Sequence, residues 1–186
     1  ALSPDNVLAH VNRAQALLGL GRLAEGFAEN EWRRHLLRHR FKVGDAAPWT
    51  GDDVDGKTVL LFAEQGQGDA IQFLRYAVPS RAMCARLIVQ CHDSLVDIAA
   101  AVTGVDAAYG FDAALPAFDV YAPLMSLPHL LGLDNIEDID GAAYIGPREG
   151  FDLGLPSSAF AVGIVWAGNP DHADDAARSC KLSDLE

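Results

Sequence analysis

Cysteine, positive charge and long apolar runs are what this sequence has little of. Its three cysteines, Cys84, Cys91 and Cys180, are an odd number, widely spaced and without a CxxC pair. That usage excludes a cysteine-rich metal framework, so no metal is expected, and it fits a reducing compartment, with the cytoplasm as the expected location. Lys and Arg number 14 against 26 Asp and Glu, a formal net charge of -12. So acidic a chain argues against nucleic acid, whose phosphates need a basic face, and equally against an anionic membrane surface. No apolar run approaches the roughly 20 residues of a membrane span, and no signal peptide is visible. The first residue is Ala rather than Met, which leaves room for a leader upstream.

What is present is ordinary for a soluble globular protein. Half of the 186 residues are hydrophobic and 22% are charged. That length buries one good core, or one core with a small appendage. Residues 4–43 read as helical, with Val7, Val11, Ala14, Leu17 and Leu18 at three- and four-residue steps on one face. Gly19 and Gly21 interrupt, and a second helix is predicted from Leu23. Ala14, Leu17, the LGR turn and Glu25–Gly26 match one tetratricopeptide repeat, a helix pair of about 34 residues, with Gly26 and Asn30 where the repeat favours alanine and an aromatic. A lone repeat cannot bury its own apolar face, so the chain is expected to begin within a longer array. Residues 44–57, rich in Gly, Asp and Pro, read as a linker anchored by Trp49.

From Thr58 the period changes. TVLLFA is a continuous apolar run, the mark of a strand buried on both faces. A helix AIQFLRYAV follows, ended or kinked by Pro79. RLIVQC (86–91) and DSLVDIAAAV (93–102) repeat the strand–helix alternation. DAAYG and FDVYAP are short strand candidates, SLPHLLGL is helical, and AVGIVWAG (161–168) reads as a last buried strand. Alternating strands and helices predict an α/β fold with a mostly parallel sheet. Ser183-x-x-Glu186 has capping-box spacing at the very end, so the chain is expected to stop where a helix starts.

The segment LLFAEQGQGDAIQFLRYA (60–77) holds the most informative turn. A Walker loop needs Gly-Lys-Ser/Thr, and Gly68 is followed by Asp69 and Ala70. A dinucleotide loop needs a third glycine where Ile71 stands, and Asp69 would repel a pyrophosphate. Two readings survive, and they are compatible. Asp69 caps the helix, with Gln72 completing the box. It also sits at the carboxyl end of a parallel strand, where ligands bind in open α/β sheets, and a carboxylate there can take a proton from a hydroxyl.

Taken together, PWTGDDVDGKTVLLFAEQGQGDAIQFLRYA, LPAFDVYAPLMSLPHLLG, VGIVWAGNPDH and RSCKLSDLE resemble bacterial tetratricopeptide-repeat proteins with a glycosyltransferase-like C-terminal region. The resemblance runs in order from about Pro4 to Glu186. The set of blocks is specific where no single block is. Such proteins are related to the heptosyltransferases and similar in layout to O-GlcNAc transferase. The resemblance implies a GT-B arrangement of two Rossmann-like lobes. On it, 1–43 is a TPR-like helical hairpin, 44–57 a linker, 58–158 the Rossmann-like N-terminal lobe and 159–186 the start of the second lobe. It implies sugar transfer from a nucleotide-sugar donor, with no separate cofactor, to a protein or glycan acceptor. Gly68–Asp69 matches the "GD" that supplies the general base in heptosyltransferases, which makes Asp69 the base. Glu64, Gln65 and Gln72 would orient base or acceptor, and the Gly66–Gly68 turn would place the base in the substrate-binding loop. Asn169, His172, Arg178 and Ser179 would lie on the donor side, Arg178 gripping a diphosphate and Ser179 bonding to it. With most of a second lobe absent, the chain alone is expected to be inactive. The alternative is a noncatalytic protein-interaction module, its repeats binding a partner and its α/β lobe a degenerate scaffold.

The remaining constellations read as structural. His35 and His39 have metal-ligand spacing, but Arg33, Arg34, Arg38, Arg40 and Lys42 surround them, so the segment reads as a solvated basic helix end. Cys91–His92 reads as a buried thiol beside a loop histidine. Trp32, Trp49 and Trp166 read as core aromatics before sugar platforms. Asp112, Asp119 and the acidic run 134–140 read as solvated charge.

Overall fold

A helix pair needs one apolar stripe on each member and a turn between them, and residues 7–30 supply both. In the computed structural model, which describes residues 3–37, 46–146, 154–156, 158, 160–170 and 175–185, α1 spans Val7–Gly19 and α2 spans Leu23–Asn30. The Asn6 side chain caps α1 by accepting the Ala9 N–H. Gly21, with φ at 74°, makes the turn. Ala14, Leu17 and Phe27 are buried on the facing sides. Gly26 meets Leu18 so closely that a Cβ there would lie 3.0 Å from the Leu18 backbone nitrogen. A single 3-10 turn, Glu31–Arg33, leads into α3, Arg34–Leu37. Predicted helix over 38–43 lies outside the described residues.

The apolar run at the centre of the chain needs cover on both faces, and it takes the middle of a parallel sheet. The strands are β1 (Ala47–Pro48), β2 (Val54–Phe62), β3 (Cys84–Cys91), β4 (Ala107–Gly110) and β5 (Val120–Pro123). Their order is β1-β5-β2-β3-β4, and every pairing is parallel. Leu60 and Leu61 alternate sides and both are fully buried. Helices α4 (Gln67–Leu74) and α5 (Ala77–Arg81) connect β2 to β3, α6 (Val96–Ala100) connects β3 to β4, and α7 (Leu127–Leu130) follows β5. One face of the sheet presents Val59, Leu61, Leu87, Val89 and Ala122 to a core that includes Ala70, Leu74, Ala77, Leu95 and Ala99 from these connections.

Several elements differ in extent from the sequence reading. The chain breaks at Arg75–Tyr76, before Pro79, which then sits in the first turn of α5, where its missing N–H costs nothing. The stretch read as a linker contributes to the sheet: β1 lies within it, and Trp49 is buried with its N–H donated to the Tyr121 carbonyl at 2.7 Å. Its indole N–H donates to the Asp52 carbonyl. Asp119 is exposed, as read, and its carboxylate also accepts the Thr58 N–H at 2.7 Å.

Residues Ala1–Arg148 form one unit and Glu149–Glu186 another. In the second, the predicted buried strand at 161–168 has no regular secondary structure, with no strand among the described residues and Val165 94% exposed. A run without polar residues becomes a strand only when neighbours pair with it along its length and cover it; here the Cys180 N–H donates to the Trp166 carbonyl at 2.9 Å, while Val162, Ile164 and Val165 stay exposed. Its helix is α8, Asp175–Arg178.

Candidate functional site

The sheet reverses direction of growth between β2 and β5. From β2 the chain moves outward to β3 and β4, then returns to the other side of β2 as β5. At such a switch point the loops at the carboxyl ends of the strands part and leave a crevice. The Glu64–Asp69 loop leaves β2 at this point, and the 3-10 turn Leu124–Ser126 leaves β5 there.

Asp69 stands at the surface on the first turn of α4. The helix starts three residues earlier than the sequence suggests, with Gly66 as N-cap and Gln67 as its first residue. The expected cap on Asp69 is therefore corrected. Asp69 is the third helical residue, and its Oδ2 reaches back to accept the Gly66 N–H at 3.1 Å. That is the returning half of a capping box, and it satisfies one of the orphan donors of the helix start. Neither Gly66 nor Gly68 has a positive φ, so neither is demanded by the turn. A Cβ on Gly66 would lie 3.3 Å from Asp69 Oδ2, and one on Gly68 would meet nothing within 4 Å. Gln65 and Gln72 are exposed, Gln72 one helical turn beyond Asp69.

Glu64 has a different fate. It is 3% exposed, and its Oε1 accepts from Arg33 Nη2 at 2.6 Å and Nε at 3.1 Å. Arg33, also 3% exposed, is not the solvated cation that its neighbourhood of basic residues suggests. Its Nη1 donates to the Asn30 carbonyl at 3.0 Å and Glu31 Oε1 at 2.7 Å, and its Nη2 also donates to Ser126 Oγ at 2.9 Å. Ser126 in turn donates to Glu31 Oε2 at 3.0 Å. A guanidinium has five N–H donors, and here all five are spent. Burial pushes the Glu64 carboxyl above its ordinary value, against the pull of the Arg33 charge and hydrogen bonds and of the Met125 and Glu64 backbone amides. Its Oε2 has no well-formed hydrogen bond among the described residues. The Arg33 side chain thus closes the crevice between the ends of β2 and β5.

Beyond β3 and β4 lies a second small group. His92 meets the Phe111 ring edge-on at 5.0 Å between centroids, and its buried Nδ1 has no hydrogen-bond partner among the described residues. A Cβ on Gly110 would fall 1.8 Å from Asp93 Oδ1, so a side chain there would make the Asp93 carboxylate turn aside. Burial, aided by the charge of Asp93, pushes the Cys91 thiol up to about 11.

In the second unit, Ser179 Oγ accepts the Gly168 N–H at 2.9 Å and donates to Asp175 Oδ1 at 2.6 Å. Arg178 Nε is 3.9 Å from the same carboxylate. Arg178 and Ser179 therefore share an acidic partner. Asn169 is exposed, and His172 lies outside the described residues.

None of these residues lines a cavity of about 320 Å³, whose walls include Arg75, Tyr76, Pro79, Thr103, Leu133 and Tyr144. The Arg75 guanidinium lies over the Tyr144 ring at 5.0 Å, and the Tyr144 hydroxyl donates to the Ile71 carbonyl at 2.7 Å. Sequence reasoning missed this cavity and the partnership of Arg33, Glu31 and Ser126. Contacts across 31 and 93 residues leave no periodic signal. Among the described residues no group of three metal-ligating side chains comes together, and no helix is long and apolar enough to cross a membrane. The described structure is an α/β fold whose five-stranded, all-parallel sheet is flanked by helices. Comparison with protein families, with characterised proteins and with solved structures finds no match to this chain.

Proposed function

We propose that the chain is the acceptor-binding part of a glycosyltransferase of GT-B type, preceded by a TPR-like hairpin, with Asp69 as general base. The observation that carries this reading is the exposed Asp69 carboxylate, tethered at the start of α4 on the carboxyl edge of the sheet. The tether uses Oδ2 and leaves Oδ1 for a proton. As an acceptor hydroxyl attacks the anomeric carbon of a nucleotide sugar, its proton passes to Asp69, the new C–O bond forms and the nucleoside diphosphate departs with the electrons of the broken bond. Gln65, Asp69 and Gln72 offer amide and carboxylate groups, which bond hydroxyls and do not attract phosphate. Arg33, with every donor spent, supplies no anion site. This edge therefore suits the acceptor, and the resemblance assigns the donor to Asn169, His172, Arg178 and Ser179.

The second reading, an interaction module on a Rossmann-like scaffold, draws support from the same Arg33 side chain filling the crevice. A transfer assay on the full-length natural protein separates the two. With Asp69→Asn, turnover falls by about 10²–10⁴ while calorimetric affinity for the nucleotide stays as in the wild type. Unchanged turnover removes Asp69 from the chemistry, and failure to bind any nucleotide favours the interaction module.

A further inference from the structure

We infer that Arg33 is a positioning residue for Asp69: from the helical segment it clamps Glu64 and Ser126, and so fixes the loop that aims the Asp69 carboxylate. The inference rests on the reading of Asp69 as base. Its geometry is independent of that chemistry.

The loop between β2 and α4 is pinned at three successive points. The Ala63 N–H donates to the Gln90 carbonyl at 2.9 Å, which continues the β2–β3 ladder past the strand end. Glu64, next in sequence, is held by two Arg33 hydrogen bonds to one oxygen. Gly66, two residues on, gives its N–H to Asp69. Between the clamp and the tether only Gln65 is unrestrained by these contacts. Arg33 is itself immobilised by Asn30 and Glu31 of its own segment and by Ser126 after β5. A planar, five-donor fork can hold a carboxylate, a hydroxyl and a carbonyl at once in fixed directions, and a lysine ammonium cannot. The helical segment thereby completes the candidate site without touching a substrate. A catalytic or binding group must be held by a rigid supporting shell, and here that shell is drawn from a part of the chain more than thirty residues earlier.

The test uses the full chain and separates positioning from stability. Arg33→Met alone leaves a buried carboxylate unpaired, so the informative variant is the double, Arg33→Met with Glu64→Gln, in which no uncompensated Glu64 charge remains. Two readouts follow the Asp69 tether itself: hydrogen-exchange protection of the Gly66 amide, and the NMR chemical shift of the Asp69 carboxyl carbon at fixed pH. The expected result is a folded double variant whose Gly66 amide exchanges about tenfold faster and whose Asp69 carboxyl resonance moves as the tether loosens. Arg33→Lys, with the charge kept and the fork lost, gives a smaller change in the same direction. A folded double variant with wild-type Gly66 protection and an unmoved Asp69 carboxyl resonance overturns the inference. Should the double variant not fold, Ser126→Ala, which keeps the ion pair and removes one ligand of the fork, decides in its place. Faster Gly66 exchange then supports the clamp, and unchanged exchange refutes it. Neither readout involves sugar transfer, so an error about the clamp and an error about Asp69 as base give different results.

Discussion

Replacing Arg33 by Met puts the buried pair to the sharpest energetic test. The substitution keeps an apolar stem of similar length and deletes a guanidinium with five hydrogen bonds. Glu64 is left with a carboxylate deep in the protein, and breaking such a pair from one side costs about 3–5 kcal/mol. A second route gives a consistent figure. Glu64 escapes the penalty by keeping its proton, and protonating a carboxyl of ordinary value 4.5 at pH 7 costs roughly 3.4 kcal/mol at about 1.4 kcal/mol per unit. The loss should be close to the smaller of the two, near 3–4 kcal/mol, or roughly a 10 °C fall in Tm for a chain of this size.

The sign of the pH dependence follows. Glu64 is raised in the folded state, and further without Arg33, so above its ordinary value the folded chain binds more protons than the unfolded chain. Stability from this group is then full below pH 4.5 and lost as the pH rises through the raised folded value. Urea denaturation of the wild type and Arg33→Met at pH 5, 6, 7 and 8 reads the difference directly. The gap should shrink toward pH 5 and widen toward pH 8, and adding Glu64→Gln should recover most of it. A gap independent of pH, or a double variant no more stable than the single, would refute the reasoning.

Three further outcomes are expected. Gly68→Ala, at a helical position with open space and no positive φ, should stabilise the chain by about 0.4–1 kcal/mol in denaturation and, on the proposed reading, weaken binding of an acceptor sugar by calorimetry. Unchanged binding would mean that no ligand approaches the bare loop. His10 should titrate above 6.5 by NMR, because its ring nitrogens face the Pro4 carbonyl and the Glu29 carboxylate. Its contribution is full below 6.5 and is lost as the pH rises through the raised value, and Glu29→Gln should lower that value. Cys180 is exposed, whereas Cys84 and Cys91 are buried. A thiol reagent should therefore modify Cys180 first and the other two only on unfolding, and rapid modification of Cys91 would contradict its burial.

The sheet was legible because its strands carry their own signal. Leu60 and Leu61 announce cover on both faces, and Gly66–Asp69 announces a turn into a helix. The exact start of α4 was not legible, since Gly68 is a weak helix former and the Asp69 carboxylate, which reads as an N-cap, instead reaches back from the first turn to the Gly66 N–H. Trp166 and its neighbours misled in the other direction: an apolar run in sequence is no strand until something pairs with it. Arg33 was the largest surprise. Its basic neighbours gave the average environment of the segment, and the buried carboxylate that singles it out comes from a distant element, where periodicity carries no information.

The short strand at Ala47–Pro48 has a bearing on how these molecules associate. Its last residue has no amide hydrogen to give, and the next N–H, of Trp49, is already committed to Tyr121. An incoming chain would find almost no donors along that flank, so fibril growth or strand exchange is discouraged there. Any such addition is steered to the opposite margin, along Ala107–Gly110.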